Sequence, residues 1–388
     1  GNDDDGGDGG GLIIINVTGT LNVSGELAAD ATQGATGNYG AGGGAGGGIL
    51  AYTQTLTGGG NISAQGADGR ASTYDGGAGS GGRIAVYYTT NDYTGSITAY
   101  GGQVSDKGQE GAAGTIYLKK AGSDAILEVD NADRDIILKE NLFNYPYTPV
   151  TVDLNLSVLN VTKNILNVTS HVDAGNITLD NYGGLLNSLS ANITYTRLKW
   201  SNTGILVDRG GDMALLNDNT DLSIPETSIL FADYPRAYGQ GVVNGTITHT
   251  GSQYTKNYIL NLTFGNLTIN PAGSINATGR GFEGGVTSNE NGHGPGAGDG
   301  SVNDGGGGAG YGGAGGTSSD GAAGGSAYGS LTRPYQMGSG GGAVGGQDGG
   351  DGGGIIILNV TDTLNVSGNI EADGVRGEES TYGVGGGG

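Results

Sequence analysis

The sequence predicts an all-β chain: a parallel β-solenoid, or β-helix, with long glycine-rich loops and a β insert that is poorer in glycine. Glycine supplies 87 of the 388 residues, and because it buries no side chain, its abundance disfavours a conventional core along the whole chain. The candidate strands are β-branched and are bounded by Gly, Asn, Asp or Ser. No stretch of a dozen residues keeps a helical period. The third observation is a long internal repeat.

The repeat relates the two ends of the sequence. The segment GGDGGGLIIINVTGTLNVSGELAADATQG, from Gly6, returns as GGDGGGIIILNVTDTLNVSGNIEADGVRG from Gly349, so that Asn16 corresponds to Asn359. Weaker copies lie between them, and their first strands recur at the spacing typical of solenoid coils with loops of variable length. These first strands begin near Leu12, Ile49, Ile84 and Ile116.

Each coil is predicted to contain the same elements in order. A glycine cluster leads into an aliphatic strand, a short turn, a second alternating strand such as Leu21–Ser24, and an exit through Gly or Ala. The continuous apolar runs at 12–15 and 355–358 predict strands that are buried on both faces. The alternating strands predict one face in water.

Composition divides the chain into three regions. Residues 1–120 form regular glycine-rich coils, and residues 121–256 are a glycine-poor β domain or a continuation of the solenoid. Residues 257–388 resume the coils and end in the repeat of the N-terminal segment. A glycine-rich insertion at 281–354 fits either disorder or polyglycine-II-like segments packed side by side, and its lack of Lys or Glu runs favours order.

The charge limits the possible partners. With 16 Lys and Arg against 38 Asp and Glu, the formal net charge is -22, which argues against nucleic acid and against an anionic membrane surface. The aliphatic runs are too short to span a bilayer. Without cysteine there are no disulfides, thiolate metal sites or thiol nucleophiles. Cations, above all Ca²⁺, and neutral glycans remain as candidate ligands.

The chain is rich in Asn-x-Ser/Thr sequons, which predict N-glycosylation of a surface protein. The alternative is that Asn-Val-Thr and Asn-Leu-Thr simply suit the polar positions of alternating strands. The candidate sites are Asn16, Asn22, Asn61, Asn155, Asn160, Asn167, Asn176, Asn192, Asn244, Asn261, Asn266, Asn276, Asn359 and Asn365.

Aspartates in the glycine-rich loops are candidate Ca²⁺ ligands. Ca²⁺ needs six to eight oxygens, and glycine lets main-chain carbonyls turn towards the ion. The loops lack the spacing of the nonapeptide Ca²⁺-binding repeat, so solvated turn residues are the alternative. The aspartates concerned are Asp3, Asp4, Asp5, Asp8, Asp299, Asp304, Asp348 and Asp351.

No catalytic site is predicted. Paired carboxylates can serve glycosidic hydrolysis, but the densest acidic patch also fits a charged turn around Arg134. The three histidines are scattered without a zinc-binding spacing. The patch consists of Glu128, Asp130, Asp133 and Asp135, and the histidines are His171, His249 and His293.

Tyrosine is overrepresented, with 20 Tyr against 4 Phe. Tyr87, Tyr88, Tyr93 and Tyr100 fall in one coil and could stack on sugars or on a neighbouring subunit. They could equally cover glycine backbone on a solvated strand face.

The glycine-rich units, GGAGSGGRIAVYY with GAAGTIYLKK and the two GGDGGG-aliphatic-NVT units, resemble the repeats of very large surface proteins of archaea and bacteria of the parallel β-helix or adhesin-stalk type. The resemblance covers about two thirds of the chain. It implies an extracellular or cell-surface structural protein, a subunit or repeat segment of a filament, sheath or adhesive appendage.

Self-association is the predicted mode of assembly. The recurrence of the N-terminal segment at the other end fits one period of a longer tandem array, or ends that stack head to tail into a filament. The alternative function is a carbohydrate-binding or polysaccharide-processing β-helix, in which Tyr and acidic residues would line one groove.

Overall fold

The computed structural model describes residues 5–35, 40–70, 76–104, 108–132, 146–200, 203–217, 219–252, 258–287, 289–302, 305–319, 321–377 and 385–388. Within these residues the chain is all β, with no α-helix and one 3-10 turn at Ala214–Leu216. It divides into two compact units. The N-terminal unit holds the described residues up to Leu206 and Gly211–Met213, and the C-terminal unit holds Val207–Gly210 and Ala214–Gly388.

The strands of the N-terminal unit range from two to eleven residues in length. They are β1 (Leu12–Asn22), β2 (Glu26–Ala28), β3 (Gly48–Gly58), β4 (Asn61–Ser63), β5 (Arg83–Tyr88), β6 (Thr90–Tyr93), β7 (Ser96–Thr98), β8 (Thr115–Lys120), β9 (Ala125–Asp130), β10 (Tyr147–Val150), β11 (Leu154–Thr162), β12 (Ile165–Val168), β13 (His171–Asp180), β14 (Gly184–Asn187), β15 (Asn192–Trp200), β16 (Ile205–Asp208, which continues into the C-terminal unit) and β17 (Asp212–Met213).

Strands that follow one another along the sheets come from successive repeats. One sheet has the order β1-β3-β5-β8-β9-β11-β13-β15-β17, with β6 also paired to β3, and a smaller sheet has the order β2-β4-β7. The first strands keep a common register, in which Ile13 pairs with Ile49, Ile49 with Ile84 and Ile84 with Ile116. The predicted parallel arrangement of these strands is therefore confirmed, whereas β8 and β9 run antiparallel.

The repeats become shorter where the glycine runs end. Leu154 pairs with Val172, and His171 pairs with Asn192, so paired strands lie closer together in the sequence here than β3 and β5 do. Leucine and isoleucine replace glycine in this region, so the strands follow one another after a short turn. β10, β12, β14 and β16 form the second sheet of this region.

The core of the glycine-rich part lies between the main sheet, at β1, β3, β5 and β8, and the smaller sheet β2-β4-β7. Ile49, Leu56, Ile62 and Val86 are almost fully buried there, and Leu21 packs against them. Inward-facing aliphatic side chains at alternate strand positions therefore supply the apolar burial that the glycines lack.

Glycine segments of successive repeats are joined by main-chain hydrogen bonds at every third residue. Gly7 and Gly10 donate to the carbonyls of Gly42 and Ala45, and Gly43 donates to that of Gly77. A Cβ atom on Gly10 would lie 2.0 Å from the carbonyl oxygen of Ala29. Glycine is therefore required at the donor positions Gly7, Gly10 and Gly43, because the neighbouring backbone occupies the place of a side chain there.

The expected turn between the two strands of the first coil is instead a β-bulge. β1 continues through Thr18 and Gly19, and its register to β3 shifts between Val17 and Thr20. The Thr53 hydroxyl lies 2.9 Å from the Gly19 carbonyl oxygen and 3.2 Å from the Leu21 nitrogen. This side chain replaces ladder hydrogen bonds that the bulge removes, so the strand continues.

The C-terminal unit repeats the same parallel pairing. Its strands are β18 (Leu222–Ile224), β19 (Ile229–Ala232), β20 (Arg236–Val243), β21 (Thr246–Thr248), β22 (Leu260–Ile269), β23 (Ser274–Asn276), β24 (Ile356–Val366) and β25 (Asn369–Glu371). They form the orders β18-β20-β22-β24 and β19-β21-β23-β25. β22 and β24 are adjacent although Leu260 and its partner Ile356 lie far apart in the sequence.

The glycine-rich insertion between β23 and β24 is hydrogen-bonded along its described length. Gly298 donates to Gly340, Gly342 donates to Gly307, and Gly340 donates to His293. Glycine segments therefore pack side by side here as they do in the N-terminal unit.

Candidate functional site

The sheets have open edges in both units. Among the described strands, β1 stands outermost and pairs with β3, and β24 stands outermost and pairs with β22. An outermost strand presents main-chain N–H and C=O groups that can template another strand. We call residues 5–35 the first repeat, residues 40–70 the second repeat and residues 348–377 the last repeat. The first and last repeats, which are the two matched sequence segments, carry these edges.

The prediction that the aliphatic runs are buried on both faces is wrong for the first repeat. Leu12 is 71% exposed and Ile14 is 63% exposed, whereas Ile13 and Ile15 pack against the core. Only one face of this sheet packs on the smaller sheet, so alternate side chains of the run point outwards.

The last repeat exposes apolar side chains whose counterparts in the first repeat face the core. Leu364, Val366 and Ile370 are 46%, 44% and 41% exposed. Val23, which occupies the place of Val366 in the first repeat, is only 7% exposed. The difference arises because the second repeat covers Val23, whose main-chain nitrogen donates to the Thr57 carbonyl.

The first and last repeats share their hydrogen bonds as well as their sequence. Thr32 donates to the Asp8 carbonyl, and Val375, which occupies the place of Thr32 in the last repeat, donates to the Asp351 carbonyl. The bonds from Gly7 to Gly42 and from Gly10 to Ala45 recur as bonds from Gly350 to Gly385 and from Gly353 to Gly388, and the bond from Gly44 to Thr32 recurs as that from Gly387 to Val375. Residues 385–388 therefore occupy, beside the last repeat, the place that residues 42–45 occupy beside the first.

Three tyrosines form a ladder on the outer face of the main sheet. The rings of Tyr52 and Tyr87 are stacked with centroids 4.8 Å apart, and Tyr87 meets Tyr117 at 5.9 Å. Asn16 pairs with Tyr52 in the ladder of β1 and β3. Of the predicted group, only Tyr87 belongs to this ladder, whereas Tyr88 and Tyr93 pack against the core.

None of the predicted sequon asparagines is buried. Seven are exposed and seven are partly exposed. Asn244 is engaged, because its side-chain nitrogen donates to the Ile224 carbonyl and its oxygen accepts from Asn270. The exposed residues are Asn16, Asn22, Asn155, Asn176, Asn192, Asn359 and Asn365, and the partly exposed residues are Asn61, Asn160, Asn167, Asn244, Asn261, Asn266 and Asn276.

The described aspartates of the glycine-rich loops act mainly on the backbone. The Asp351 carboxylate accepts from the Gly284 nitrogen, and the carbonyls of Asp8 and Asp299 accept main-chain hydrogen bonds. Over the part of the chain that the structure describes, no three His, Asp or Glu side chains gather as metal ligands. Ca²⁺ binding at Asp5, Asp8, Asp299, Asp348 and Asp351 stays a prediction, and Asp3, Asp4 and Asp304 lie outside the described residues.

The acidic patch is described only in part. Glu128 and Asp130 lie on the same face of β9, and burial, followed by the nearby Asp130 charge, raises the pKa of Glu128. Asp133 and Asp135 lie outside the described residues.

A shallow groove of about 430 Å³ runs over β11, β13 and β15. It is lined by polar side chains that include Asp124, Asp173 and two sequon residues, Asn155 and Asn176. Tyrosine does not contribute to this lining.

Sequence reasoning missed a buried charged network in the C-terminal unit. Arg236 makes a bidentate ion pair with Asp208, at 2.8 and 3.0 Å, and both side chains are almost completely buried. Asp233 accepts from the nitrogen and the hydroxyl of Thr250, each at 2.7 Å. Arg209 approaches the same carboxylate at 3.4 Å. Isolated acidic and basic residues in a sequence give no signal of such pairing.

His249 adjoins this network and is fully buried. Its Nδ1 lies 2.9 Å from the Thr250 carbonyl oxygen, and its Nε2 has no hydrogen-bond partner among the described residues. Burial, reinforced by the nearby Arg280 charge, lowers the pKa of His249 to about 4. The imidazole is therefore neutral at physiological pH.

The other histidines lie elsewhere. His171 Nδ1 lies 3.1 Å from the Asn192 carbonyl oxygen, and His293 Nδ1 lies 3.2 Å from that of Glu283. No helix among the described residues has the length and apolar character to cross a membrane. The chain matches no known protein family, no curated protein and no solved structure.

Proposed function

We propose that this chain is an extracellular structural protein, a subunit or repeat segment of a cell-surface filament, sheath or adhesive appendage. In this proposal it is a parallel β-solenoid with polyglycine-II-like segments, and it assembles through its like repeats. The observation that carries the proposal is that the two matched repeats lie at open sheet edges, β1 and β24.

The architecture supports a solenoid. Strands of successive repeats pair in parallel and in register, and main-chain hydrogen bonds link the glycine segments at every third residue. Three residues per turn is the period of the polyproline-II helix, which has no internal hydrogen bonds and can therefore bond to its neighbours. A structure built this way gains stability from stacking and extends by adding repeats.

The surface supports an extracellular location. All fourteen predicted sequon asparagines are at least partly exposed, as glycosylation requires. The net charge of -22 keeps such a surface soluble and disfavours binding to nucleic acid.

Self-association can be tested at the exposed end of the last repeat. The variant Leu364→Lys places a charge among side chains that a second copy would cover. Leu331, which is fully exposed within the insertion, supplies the matched control Leu331→Lys. We expect light scattering and negative-stain electron microscopy to show concentration-dependent polymers for the natural chain and the control, and monomers for Leu364→Lys. Monomers at every concentration for the natural chain would contradict the proposal.

The tyrosine ladder favours carbohydrate binding as a second candidate function. Tyr52 is 41% exposed and is stacked on Tyr87, and exposed aromatic faces can stack on sugar rings. Affinity electrophoresis in gels that contain neutral polysaccharides tests this function. Tyr52→Ala should abolish any retardation, and Tyr335→Ala, at an exposed tyrosine of the insertion, should leave it unchanged.

A further inference from the structure

We propose that two copies of this chain associate by repeat exchange, in which the last repeat of one copy replaces the first repeat of a second copy on β3. The inference rests on the proposed self-association and specifies its interface. It differs from simple end-to-end stacking, in which β24 of one copy would contact β1 of the next.

The structure already contains the template for this contact. The first repeat binds the second repeat through the β1–β3 ladder and through the bonds from Gly7 to Gly42 and Gly10 to Ala45. The last repeat has a closely matching sequence and makes the matching glycine bonds to residues 385–388. Its glycine edge therefore accepts a segment shaped like residues 42–45, and the second copy's residues 42–45 would take the place of residues 385–388.

The register of the exchanged contact follows from the β1–β3 register. Asn16 pairs with Tyr52, so Asn359 would pair with the second copy's Tyr52. The bulge is preserved, because the register of β24 to β22 shifts between Phe264 and Asn266 opposite Thr361 and Asp362, the counterparts of Thr18 and Gly19. The second copy's Thr53 would then hold the bulge of β24 as it holds that of β1.

Some side chains of the first repeat make contacts with the second repeat that their counterparts in the last repeat could make with a second copy. Asp30 accepts from the Ser63 hydroxyl and the Gln65 nitrogen of the second repeat. Asp30 and its counterpart Asp373 are both exposed. Ala29 is 4% exposed, whereas its counterpart Ala372 is exposed. In the exchanged contact, the second repeat of the second copy would give Asp373 and Ala372 the contacts of Asp30 and Ala29.

Exchange replaces the contact between the first repeat and β3 by an equivalent contact of the last repeat, so the interface itself contributes no net change. In a repeat protein, folding of a single repeat is unfavourable by itself and is driven by the interface with its neighbour. The incoming last repeat is already folded on β22, whereas the displaced first repeat regains its conformational freedom. Exchange therefore removes the unfavourable free energy of folding the first repeat by itself. This gain opposes the entropy that the two copies lose on association.

A disulfide lock tests the proposal on the full chain, which has no natural cysteine. Paired residues on neighbouring parallel strands are about 4.8 Å apart, within the range of a disulfide. The variant Asn16→Cys/Tyr52→Cys ties the first repeat to β3 when oxidised. We expect oxidation to reduce polymer formation at least tenfold and reductant to restore it. Polymerisation that is unaffected by the lock would overturn exchange while leaving self-association in place.

Intermolecular crosslinks identify the contact independently of the lock. In Tyr52→Cys/Asn359→Cys, exchange predicts a ladder of disulfide-linked chains on a nonreducing gel. In Asn16→Cys/Asn359→Cys, stacking predicts the ladder instead. A ladder from the second variant alone would refute exchange. Absence of polymers from the natural chain and of ladders from both variants would refute self-association itself.

Discussion

Glycine at position 10 is required by the backbone of the neighbouring repeat, and a pair of adjacent substitutions tests this requirement. A Cβ atom at Gly10 would lie 2.0 Å from the Ala29 carbonyl oxygen and 2.4 Å from the Gly47 nitrogen. These two atoms form a hydrogen bond of 2.7 Å. At Gly9, the nearest atom to an added Cβ is the Ala45 carbonyl oxygen at 3.5 Å, an ordinary contact. Gly9→Ala is therefore the matched control for Gly10→Ala.

The expected effects have opposite signs. Gly10→Ala forces the Ala29 and Gly47 backbones apart, which costs about 1–3 kcal/mol in overpacking. The broken hydrogen bond leaves a partly desolvated donor and acceptor and costs about 1–3 kcal/mol more. Gly9→Ala restricts the unfolded chain without a clash and should stabilise by about 0.4–1 kcal/mol. The two variants should therefore differ in unfolding free energy by at least about 2 kcal/mol.

Urea denaturation followed by far-ultraviolet circular dichroism measures this difference for the transition that includes the N-terminal unit. Hydrogen exchange read by mass spectrometry localises it, because the Gly47 amide should lose protection in Gly10→Ala and keep it in Gly9→Ala. Equal midpoints and equal protection in the two variants would refute the close-approach argument. Gly353, whose added Cβ would lie 2.0 Å from the Ala372 carbonyl oxygen, should behave like Gly10.

Three further predictions concern other parts of the chain. Because the folded His249 has a pKa of about 4, below the ordinary 6.5, the unfolded chain takes up a proton first as the pH falls. About 3 kcal/mol of stability should be lost between pH 6.5 and 4, and in pH-dependent urea denaturation His249→Asn should lack this component; an identical pH profile for the variant would contradict the assignment. Arg236→Met leaves the buried Asp208 carboxylate without its ion-pair partner and should destabilise by about 3–5 kcal/mol, while Arg236→Met/Asp208→Leu recovers most of that loss in the same denaturation assay; a double variant as unstable as the single one would argue against an uncompensated charge. In protein from its native source, glycopeptide mass spectrometry should find Asn192 modified and Asn244 unmodified, because Asn192 is exposed whereas the Asn244 amide is engaged with Ile224 and Asn270; the reverse occupancy would contradict this reasoning.

The all-β character and the parallel strand order could be predicted because they are properties of local pattern. Ile13, Ile49, Ile84 and Ile116 follow glycine clusters at similar spacing, and identical patterns in successive repeats favour identical strands in register. The open edges at β1 and β24 could be predicted less directly from the sequence. The sequence placed like repeats at both ends, but the exposure of Val366, compared with its buried counterpart Val23, depends on which neighbours cover each repeat.

The features that were missed or wrong depend on contacts between distant residues. The sequence predicts a turn at Gly19. In the structure, the Thr53 hydroxyl donates to the Gly19 carbonyl, and Gly19 lies in a β-bulge instead. The Arg236–Asp208 pair and the buried His249 have no sequence signature, because ion pairing and desolvation are created by segments that approach only in the folded chain.

The sequence by itself determined the repeat, its period and the alternation of glycine segments with apolar strands. Those properties follow from backbone freedom and side-chain periodicity, which are local. The tertiary structure decided which glycines touch a neighbouring backbone, which apolar side chains stay exposed and which charges are paired. These features depend on the distances between repeats. Gly10 cannot accept a side chain whereas its neighbour Gly9 can, because the backbone of another repeat lies against Gly10 alone.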